Sequence, residues 1–456
     1  MHVVLEINKL VLPRVRLFRA LAALFVWCGL ARQAYSLPSF ARQTGQKCVA
    51  CHVGGFWPQL TPWGRFFKLS GYTAGTTLKD KEGGVHIPVG VFGQAGLTWA
   101  AQPNDSNGQS VIDHNGRPEM YQVTGELGTK ITNFLGLFYE YQVGNTFPGW
   151  KGTTNVADVR AVHFFHLGRH EILVGADTNN NPSVQDVWNS SPDWSYPFYS
   201  SPQAVSGPAN PMITGLGSQS AGIGGYALVD RRFYFEVSAY RAATGFFRWM
   251  SAGISFPHYL SGYNPYWRAY WEKTRGAQSF LVGTFGLRAS VYPDSSDPRG
   301  SADVFTDYGI DSQYQYLAST HKVTLRGNYI YERRAWDASF SAGNVGTQTG
   351  NLRSINVSGT YAYKDNWAFS AGYLLTNGNR DAQLYAVVSP SGDVISSSPK
   401  TTGYTLEIDR HITQNVQLMA QYRGFGRLNG LRHNVDGIGR NASDNNTLWL
   451  SVFFAF

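Results

Sequence analysis

The sequence is poor in cysteine and in uninterrupted apolar stretches. It has three cysteines in 456 residues, and Cys28 lies in an N-terminal segment that we expect to be removed. Cys48 and Cys51 are then the only thiols, so no structural disulfide competes for them. No later run of about twenty apolar residues exists, which excludes spanning helices. Clustered basic runs are also missing despite a formal net charge of +8, so nucleic-acid binding is not expected.

The N-terminus has the three regions of a secretory signal peptide. A basic region ending at Arg19 precedes the short apolar run Ala20–Leu30, and Ala34–Ser36 fits a small-x-small cleavage site. We therefore predict that residues 1–36 are a cleaved signal peptide. They carry five basic residues against one acidic, or +4, which leaves +4 for the remaining chain. The alternative is an uncleaved anchor helix, for which the apolar run is short.

Cys48, Cys51 and His52 have the Cys-x-x-Cys-His spacing of covalent haem attachment. In such a site each thiol bonds one vinyl group of the porphyrin, and the histidine binds the iron as proximal ligand. The alternatives are a redox Cys-x-x-Cys pair and half of a zinc site. No second ligand pair follows at zinc spacing, and no βαβ pattern surrounds the motif. The motif therefore predicts one haem c, attached outside the cytoplasm.

Residues 37–85 read as a small, partly helical module around this motif. Thr61 is a predicted helix N-cap with Pro62 at the first helical position. The aromatic side chains that follow would shelter one face of the haem, although a plain aromatic core helix is an alternative. The predicted packing residues are Pro58, Leu60, Pro62, Trp63 and Phe67. About fifty residues bury too little surface to cover a haem alone, so we expect the module to plug the following domain.

Residues 86–456 predict a porin-like β-barrel. About sixteen segments of roughly ten residues alternate apolar and polar side chains, which is typical of transmembrane strands. The connections alternate between tight turns such as 131–133 and long links such as 178–218, as in outer-membrane barrels. The fold class is thus mainly β, an outer-membrane barrel of about sixteen strands preceded by the haem module. Phe456 resembles the C-terminal signal of barrels that are inserted into the outer membrane of Gram-negative bacteria.

Three further stretches are Phe40–Lys47, the pattern Pro58-x-Leu-Thr-Pro-x-Gly-x-x-Phe-Lys-x-x-Gly-Tyr72, and Asn179–Asn189 in the third long link. Together with the haem motif and the barrel pattern, they resemble the fused monohaem cytochrome–porins of iron-oxidising bacteria. The resemblance implies an iron:cytochrome c oxidoreductase in the outer-membrane lipid. Such a protein takes electrons from extracellular Fe(II) and passes them to a periplasmic cytochrome or other carrier. The alternatives are a conduit for another donor and a haem-bearing diffusion porin.

The second axial ligand of the haem iron is not obvious from the sequence. Residues 37–85 contain no methionine and no histidine except His52. We therefore expect a barrel residue, His86 or Met120, which the alternation places inward; the alternatives are plain lumen residues and an iron that is five-coordinate or water-bound. Asp186 and Asp193 are candidate Fe(II) entry residues, and ordinary solvated loop charge is the alternative.

Overall fold

The computed structural model describes residues 39–55, 59–76, 88–112, 114–145, 150–182, 201, 203–205, 207–251 and 257–456. The predicted signal peptide lies outside the described residues, and so do Pro58, His86, Asp186 and Asp193. No helix in the described part of the chain is both long and apolar enough to cross a bilayer.

Sixteen antiparallel strands of the described chain close into a barrel in which each strand pairs with its neighbours in sequence. The strands are β1 (Val89–Ala100), β2 (Glu119–Lys130), β3 (Leu135–Asn145), β4 (Trp150–Leu167), β5 (His170–Asn179), β6 (Ser220–Val229), β7 (Phe233–Ala242), β8 (Asn264–Arg275), β9 (Gln278–Tyr292), β10 (Asp303–Leu317), β11 (His321–Ala335), β12 (Thr349–Tyr363), β13 (Trp367–Gly378), β14 (Thr401–Thr413), β15 (Val416–Arg427) and β16 (Thr447–Ala455). The predicted sixteen-stranded barrel is confirmed.

The first and last strands close the barrel. β1 pairs with β16, with Phe92 opposite Ala455. Beyond the last paired residue, the N–H of Val91 donates to the carbonyl of Phe456 at 2.8 Å, and the N–H of Phe456 donates to the carbonyl of Val91 at 2.8 Å. Closure removes both sheet edges, and a sheet can cross hydrocarbon only when no backbone edge remains unpaired.

Side-chain alternation gives the barrel an apolar outer surface and a polar inner one. In β14, Tyr404, Leu406 and Ile408 are exposed outward, whereas Glu407 and Asp409 between and beyond them are buried. The same period of two runs through strands such as β7 and β10, because successive side chains of a strand point to opposite faces. An outward band of large apolar residues on a closed barrel is a lipid-facing surface.

The short connections between strands lie at one end of the barrel and the long connections lie at the other. Tight turns join β6 to β7 and β12 to β13, and both central residues of each turn have positive φ: 54° at Asp230 and Arg231, 50° at Lys364 and 53° at Asp365. Such turns match the twist of the flanking strands. The long links lie at the opposite end. Short turns face the periplasm in outer-membrane barrels, which places both Val89 and Ala455 near the periplasmic mouth.

The N-terminal module lies inside the barrel near the short-turn end. It comprises α1 (Ser39–Thr44), α2 (Cys48–Cys51), a 3-10 turn (Val53–Gly55) and α3 (Pro62–Leu69). The hydroxyl of Tyr72 donates to Asp158 on β4 at 2.5 Å. The amide of Gln59 donates to Thr360 on β12 at 2.9 Å. Because β4 and β12 are eight strands apart, the module reaches opposite walls of the barrel; we call residues 39–76 the plug.

One long link also enters the lumen. A 3-10 turn at Met212–Thr214 is held by carboxylates of the wall: the N–H of Met212 donates to Glu332 at 2.5 Å and that of Ile213 to Asp307 at 2.9 Å. Its apolar side chains pack against inward residues such as Phe285. The other links carry α4 (Asp337–Ser341), 3-10 turns at Gly245–Met250 and Ala442–Asn445, the two-residue strand Tyr259–Leu260, and a small hairpin of Val387–Val388 with Val394–Ser396.

Candidate functional site

The two thiols share one face of a short helix. Cys48 and Cys51 are the first and last residues of α2, and positions three apart are neighbours on a helix surface. The N–H of His52 donates to the carbonyl of Cys48 at 2.8 Å and closes the turn. Burial raises the pKa of the Cys48 thiol, and burial together with the nearby Cys48 raises the pKa of Cys51 to about 11. A redox-active Cys-x-x-Cys pair needs the opposite shift.

Helix α3 holds α2 in place from the other side of the motif. The Thr61 hydroxyl accepts the N–H of Gly64 at 3.1 Å, as predicted for an N-cap, and also donates to the carbonyl of Ala50 at 2.6 Å. Its own N–H donates to the carbonyl of Cys51 at 2.9 Å. Pro62 occupies the first helical position, as predicted. One threonine therefore caps α3 and ties it to the thiol-bearing helix.

A cavity opens directly beside the motif. About 1230 Å³ of space lies between its lining residues, a volume that includes solvent at its open side. Both thiols and His52 line it from the plug, and the periplasmic ends of the wall strands complete it. Its lining includes Phe40, Lys47, Cys48, Cys51, His52, Gly55, Leu60, Phe67, Lys68, Tyr72, Phe92, Glu126, Phe138, His411, Asn415, Gln417, Phe453 and Ala455. A large prosthetic group could thus contact both thiols and the imidazole at once.

Aromatic rings form one wall of the cavity. The ring of Phe40 stacks on Tyr72 at 5.1 Å between centroids, meets Phe67 edge-on at 5.0 Å and lies 5.4 Å from Phe138 on β3. Such clusters bury large apolar areas and gain further from their geometry. The wall therefore suits a flat, apolar ligand, and its members come from both the plug and the barrel.

The predicted packing residues differ in where they lie. Leu60 and Phe67 line the cavity, and both are buried. Trp63 projects to the outside of α3, is 36% exposed and contacts Phe66. Pro62 serves the helix start and is not part of the lining.

The structure does not bring Met120 to the cavity. The strand pair β1–β2 shifts register between Gln94 and Ala95, where Tyr121 is the extra residue. Because the bulge inserts one residue, both Tyr121 and Gln122 are buried, and Met120 pairs with Ala95 on the outward face. The inward orientation predicted for Met120 is therefore wrong.

His411 is a cavity residue that the sequence analysis missed. It lies near the end of β14, two and four residues after the inward Asp409 and Glu407. The same alternation of inward and outward side chains predicts that His411 faces the lumen. In the described residues, no group of three or more His, Cys, Asp or Glu side chains is placed to hold a metal ion by itself.

The residues around the cavity fit a haem c. Cys48 and Cys51 would hold it covalently and His52 would bind its iron, with the aromatic wall and Leu60 against the ring. Lys47 and Lys68 supply positive charge beside the cavity for the acidic groups of such a cofactor. This fit rests on three observations: thiols on one helix face, a histidine beside them, and an apolar space that all three border.

Comparison with known proteins yields likenesses of fold. No protein-family model matches the chain, and no curated protein matches it. Solved structures that resemble it include OmpF of Salmonella typhi, with 13% identity and a TM-score of 0.48, covering 81% of this chain and 97% of that one. DcaP of Acinetobacter baumannii has 13% identity and a TM-score of 0.44, covering 83% and 99%. An anion-selective porin of Comamonas acidovorans has 11% identity and a TM-score of 0.44, covering 81% and 99%.

Proposed function

We propose that this chain is an outer-membrane c-type cytochrome that oxidises extracellular Fe(II) and passes the electron to a periplasmic carrier. The observation that carries the proposal is the placement of Cys48, Cys51 and His52 along one apolar cavity at the periplasmic mouth of a closed barrel. The donor is proposed from the resemblance of the plug sequence to cytochrome–porins.

The chain would place a single redox centre between two compartments. A bound haem c would supply a one-electron centre that cycles between ferric and ferrous iron. Each Fe(II) loses one electron and stays outside as Fe(III), and each oxidised carrier gains one electron on the periplasmic side. The plug residues would hold the centre, and the aromatic wall of Phe40, Tyr72 and Phe138 would shield one side of it from water. The closed barrel crosses the lipid without exposing backbone groups.

The donor itself is the finer part of the proposal. Reduced sulfur, a solid surface or another outer cytochrome would use the same cavity and the same single centre. Asp186 and Asp193, the predicted Fe(II) entry residues, lie outside the described residues and stay proposals.

A diffusion porin is the second candidate, because a barrel of sixteen strands can enclose an aqueous channel. The lumen also carries buried ion pairs, such as Arg268 with Asp311 at 2.7 Å, and charged linings are common in porins. Against this, the plug and the inward link with Met212 occupy lumen space that a diffusion porin would leave open.

The decisive experiment is stopped-flow mixing of the purified full-length protein with Fe(II). We expect the absorbance spectrum to change from that of ferric haem to that of ferrous haem when Fe(II) is mixed in. Oxidised cytochrome c, added afterwards, should restore the ferric spectrum. Reduction by dithionite but not by Fe(II) would refute iron oxidation and leave a conduit for another donor.

The matched control concerns covalent attachment. The variant with both Cys48→Ala and Cys51→Ala should lose the haem stain on a denaturing gel while keeping the heat-modifiable mobility of a folded barrel. An unchanged stain in that double variant would overturn the haem assignment as a whole.

A further inference from the structure

We propose that His411 is the second axial ligand of the haem iron, an inference that rests on the proposed function. His411 and His52 line the same cavity as the two thiols. His411 also lies against the segment that follows the motif: a Cβ built on Gly55 would be 3.4 Å from Cε1 of His411. One imidazole comes from the plug and the other from the wall, so a bis-histidine pair would fasten the plug to the barrel.

The position of His411 is fixed by its strand. Glu407 and Asp409 on β14 are buried and face inward, and Ile408 and Ile412 are exposed outward. A period of two therefore turns His411 toward the lumen. The backbone N–H of His411 donates to the carbonyl of Asn366 at 2.9 Å, which anchors it to the tight turn between β12 and β13.

The ring of His411 is oriented as metal-binding histidines usually are. Its Nδ1 lies 3.2 Å from the backbone carbonyl of Asp365. A carbonyl only accepts, so Nδ1 carries the proton and Nε2 carries the lone pair. Histidines that bind metals almost always donate their other ring N–H to a carbonyl or carboxylate in this way. Asp365 is itself held by Lys322, whose Nζ lies 2.5 Å from its carboxylate.

Gln417 already hydrogen-bonds to the His411 ring, so binding of the ring to iron would replace that hydrogen bond. The Gln417 amide also donates to Asp409 at 2.8 Å. The amide keeps its hydrogen bond to Asp409 when the His411 ring binds a ligand, so ligation costs one hydrogen bond.

Other ligands are less well placed or chemically weaker. Met120 faces outward from β2, and His86 lies outside the described residues. Lys47 and Lys68 border the cavity, but an ammonium group has no lone pair and must lose a proton before it can bind a metal. A neutral imidazole can bind a metal without first losing a proton.

The test is electron paramagnetic resonance of the purified ferric holoprotein together with three substitutions. The wild type should show the low-spin signal of two imidazole ligands. His411→Ala should convert most molecules to high spin, and added imidazole should restore the low-spin signal. His411→Met should give the charge-transfer band of sulfur ligation and a higher reduction potential. The control is His321→Ala, because His321 lies at the same end of the barrel but is exposed and bonded to Tyr361 at 2.7 Å; its spectrum should equal the wild type.

Each alternative outcome is distinct. A high-spin wild type, an unchanged spectrum in His411→Ala, or conversion to high spin by Lys47→Ala would overturn the assignment of His411 while leaving the haem in place. Absence of covalent haem from the wild type would overturn the proposed function instead. If His411→Ala fails to fold into the membrane, the wild-type spectrum and the His411→Met band still decide the question.

Discussion

Gly64 shows how tightly the two helices of the plug are joined. A Cβ at this position would lie 2.2 Å from the carbonyl oxygen of Cys51. That oxygen is backbone, and it already accepts the N–H of Thr61 at 2.9 Å. The side chain must therefore be hydrogen for α3 to cross the thiol-bearing turn at this distance. The Leu-Thr-Pro-x-Gly stretch thus has a physical reason in this fold.

Gly64→Ala should separate α3 from α2 and lower both stability and haem attachment. Overpacking of this kind typically costs about 1–3 kcal/mol. We expect a lower urea midpoint in lipid vesicles and a weaker haem stain per folded barrel. The matched control is Gly125→Ala on β2, where no atom lies within 4 Å of the added Cβ. Equal midpoints for the two variants would show that the close contact is relaxed in solution.

Single residues also show where sequence reasoning stops. The alternation of β14 is regular, so His411 was predictable as an inward residue once the strand was recognised. The outward orientation of Met120 was not predictable, because the bulge at Tyr121 reverses the faces of the two β2 residues before it, Glu119 and Met120. Nothing in the local sequence marks that bulge. Of the aromatic wall only Phe67 was predicted, because Phe40, Tyr72 and Phe138 join it through tertiary packing.

Among the elements, α3 depends on one buried charge for its contact with the wall. Arg65 is 1% exposed and pairs with Glu272 on β8. It also donates to Gln315 on β10 at 2.9 Å and to the carbonyl of Leu60 at 3.0 Å. The arginine thereby bridges two wall strands and the segment that precedes its own helix.

Arg65→Met should loosen the plug without opening the barrel. Removing one partner of a buried pair leaves the other charge uncompensated, at a cost of about 3–5 kcal/mol. We expect trypsin to cut within residues 39–76 at a lower urea concentration, while the heat-modifiable mobility of the barrel is kept. Adding Glu272→Gln should recover part of the loss. Arg299→Met is the control, because its pair with Asp297 is solvent-exposed, and a loss as large there would refute the argument.

Two outer links are clamped by one carboxylate. Asp381 accepts the N–H groups of Gly346, Thr347, Gln383 and Leu384 at 2.8 to 3.1 Å. Burial acts to raise the pKa of Asp381, but these hydrogen bonds outweigh it and hold the pKa below its usual value. A carboxylate with a lowered pKa stabilises the fold above its unfolded pKa of about 4, and this stabilisation is lost as the pH falls through the folded pKa.

Asp381→Asn should loosen residues 336–348 and 379–400 already at neutral pH. In the wild type the same loosening should begin only in strong acid, below about pH 4. Hydrogen exchange of these links, corrected for the intrinsic rate at each pH, measures both effects. Asp393→Asn, at the tip of the small hairpin, should exchange like the wild type. Wild-type links that loosen well above pH 4 would contradict the clamp.

At the scale of the whole molecule, period and turn chemistry made the barrel predictable. All sixteen strands overlap alternating segments of the sequence; β2 and β10 match them at both ends, and the largest difference, six residues, is where β4 begins at Trp150. An even number of strands is what allows β1 and β16 to pair antiparallel and close the barrel. The entry of the link with Met212 into the lumen was not predictable, because it depends on Glu332 and Asp307, more than ninety residues away in sequence.

The whole-molecule prediction concerns conductance, because the plug touches the wall on several sides. Its contacts reach β2 through the N–H of Lys130 to Gln43 at 2.8 Å, β4 through Tyr72 and β12 through Gln59. A body held across the lumen in this way should block the channel that a sixteen-stranded barrel would otherwise enclose.

Full-length protein in a planar bilayer should therefore conduct far less than a variant that lacks residues 39–76. Arg65→Met should fall between the two, with brief openings as the loosened plug moves, and Arg299→Met should conduct like the wild type. The haem stain of each sample, measured in parallel, shows that the full-length protein is loaded. A large steady conductance of the loaded full-length protein, equal to that of the deletion variant, would mean that the plug leaves the lumen open. That result would favour the diffusion porin over the electron conduit. An open channel beside the haem would let solutes cross the membrane, which is the function of a diffusion porin.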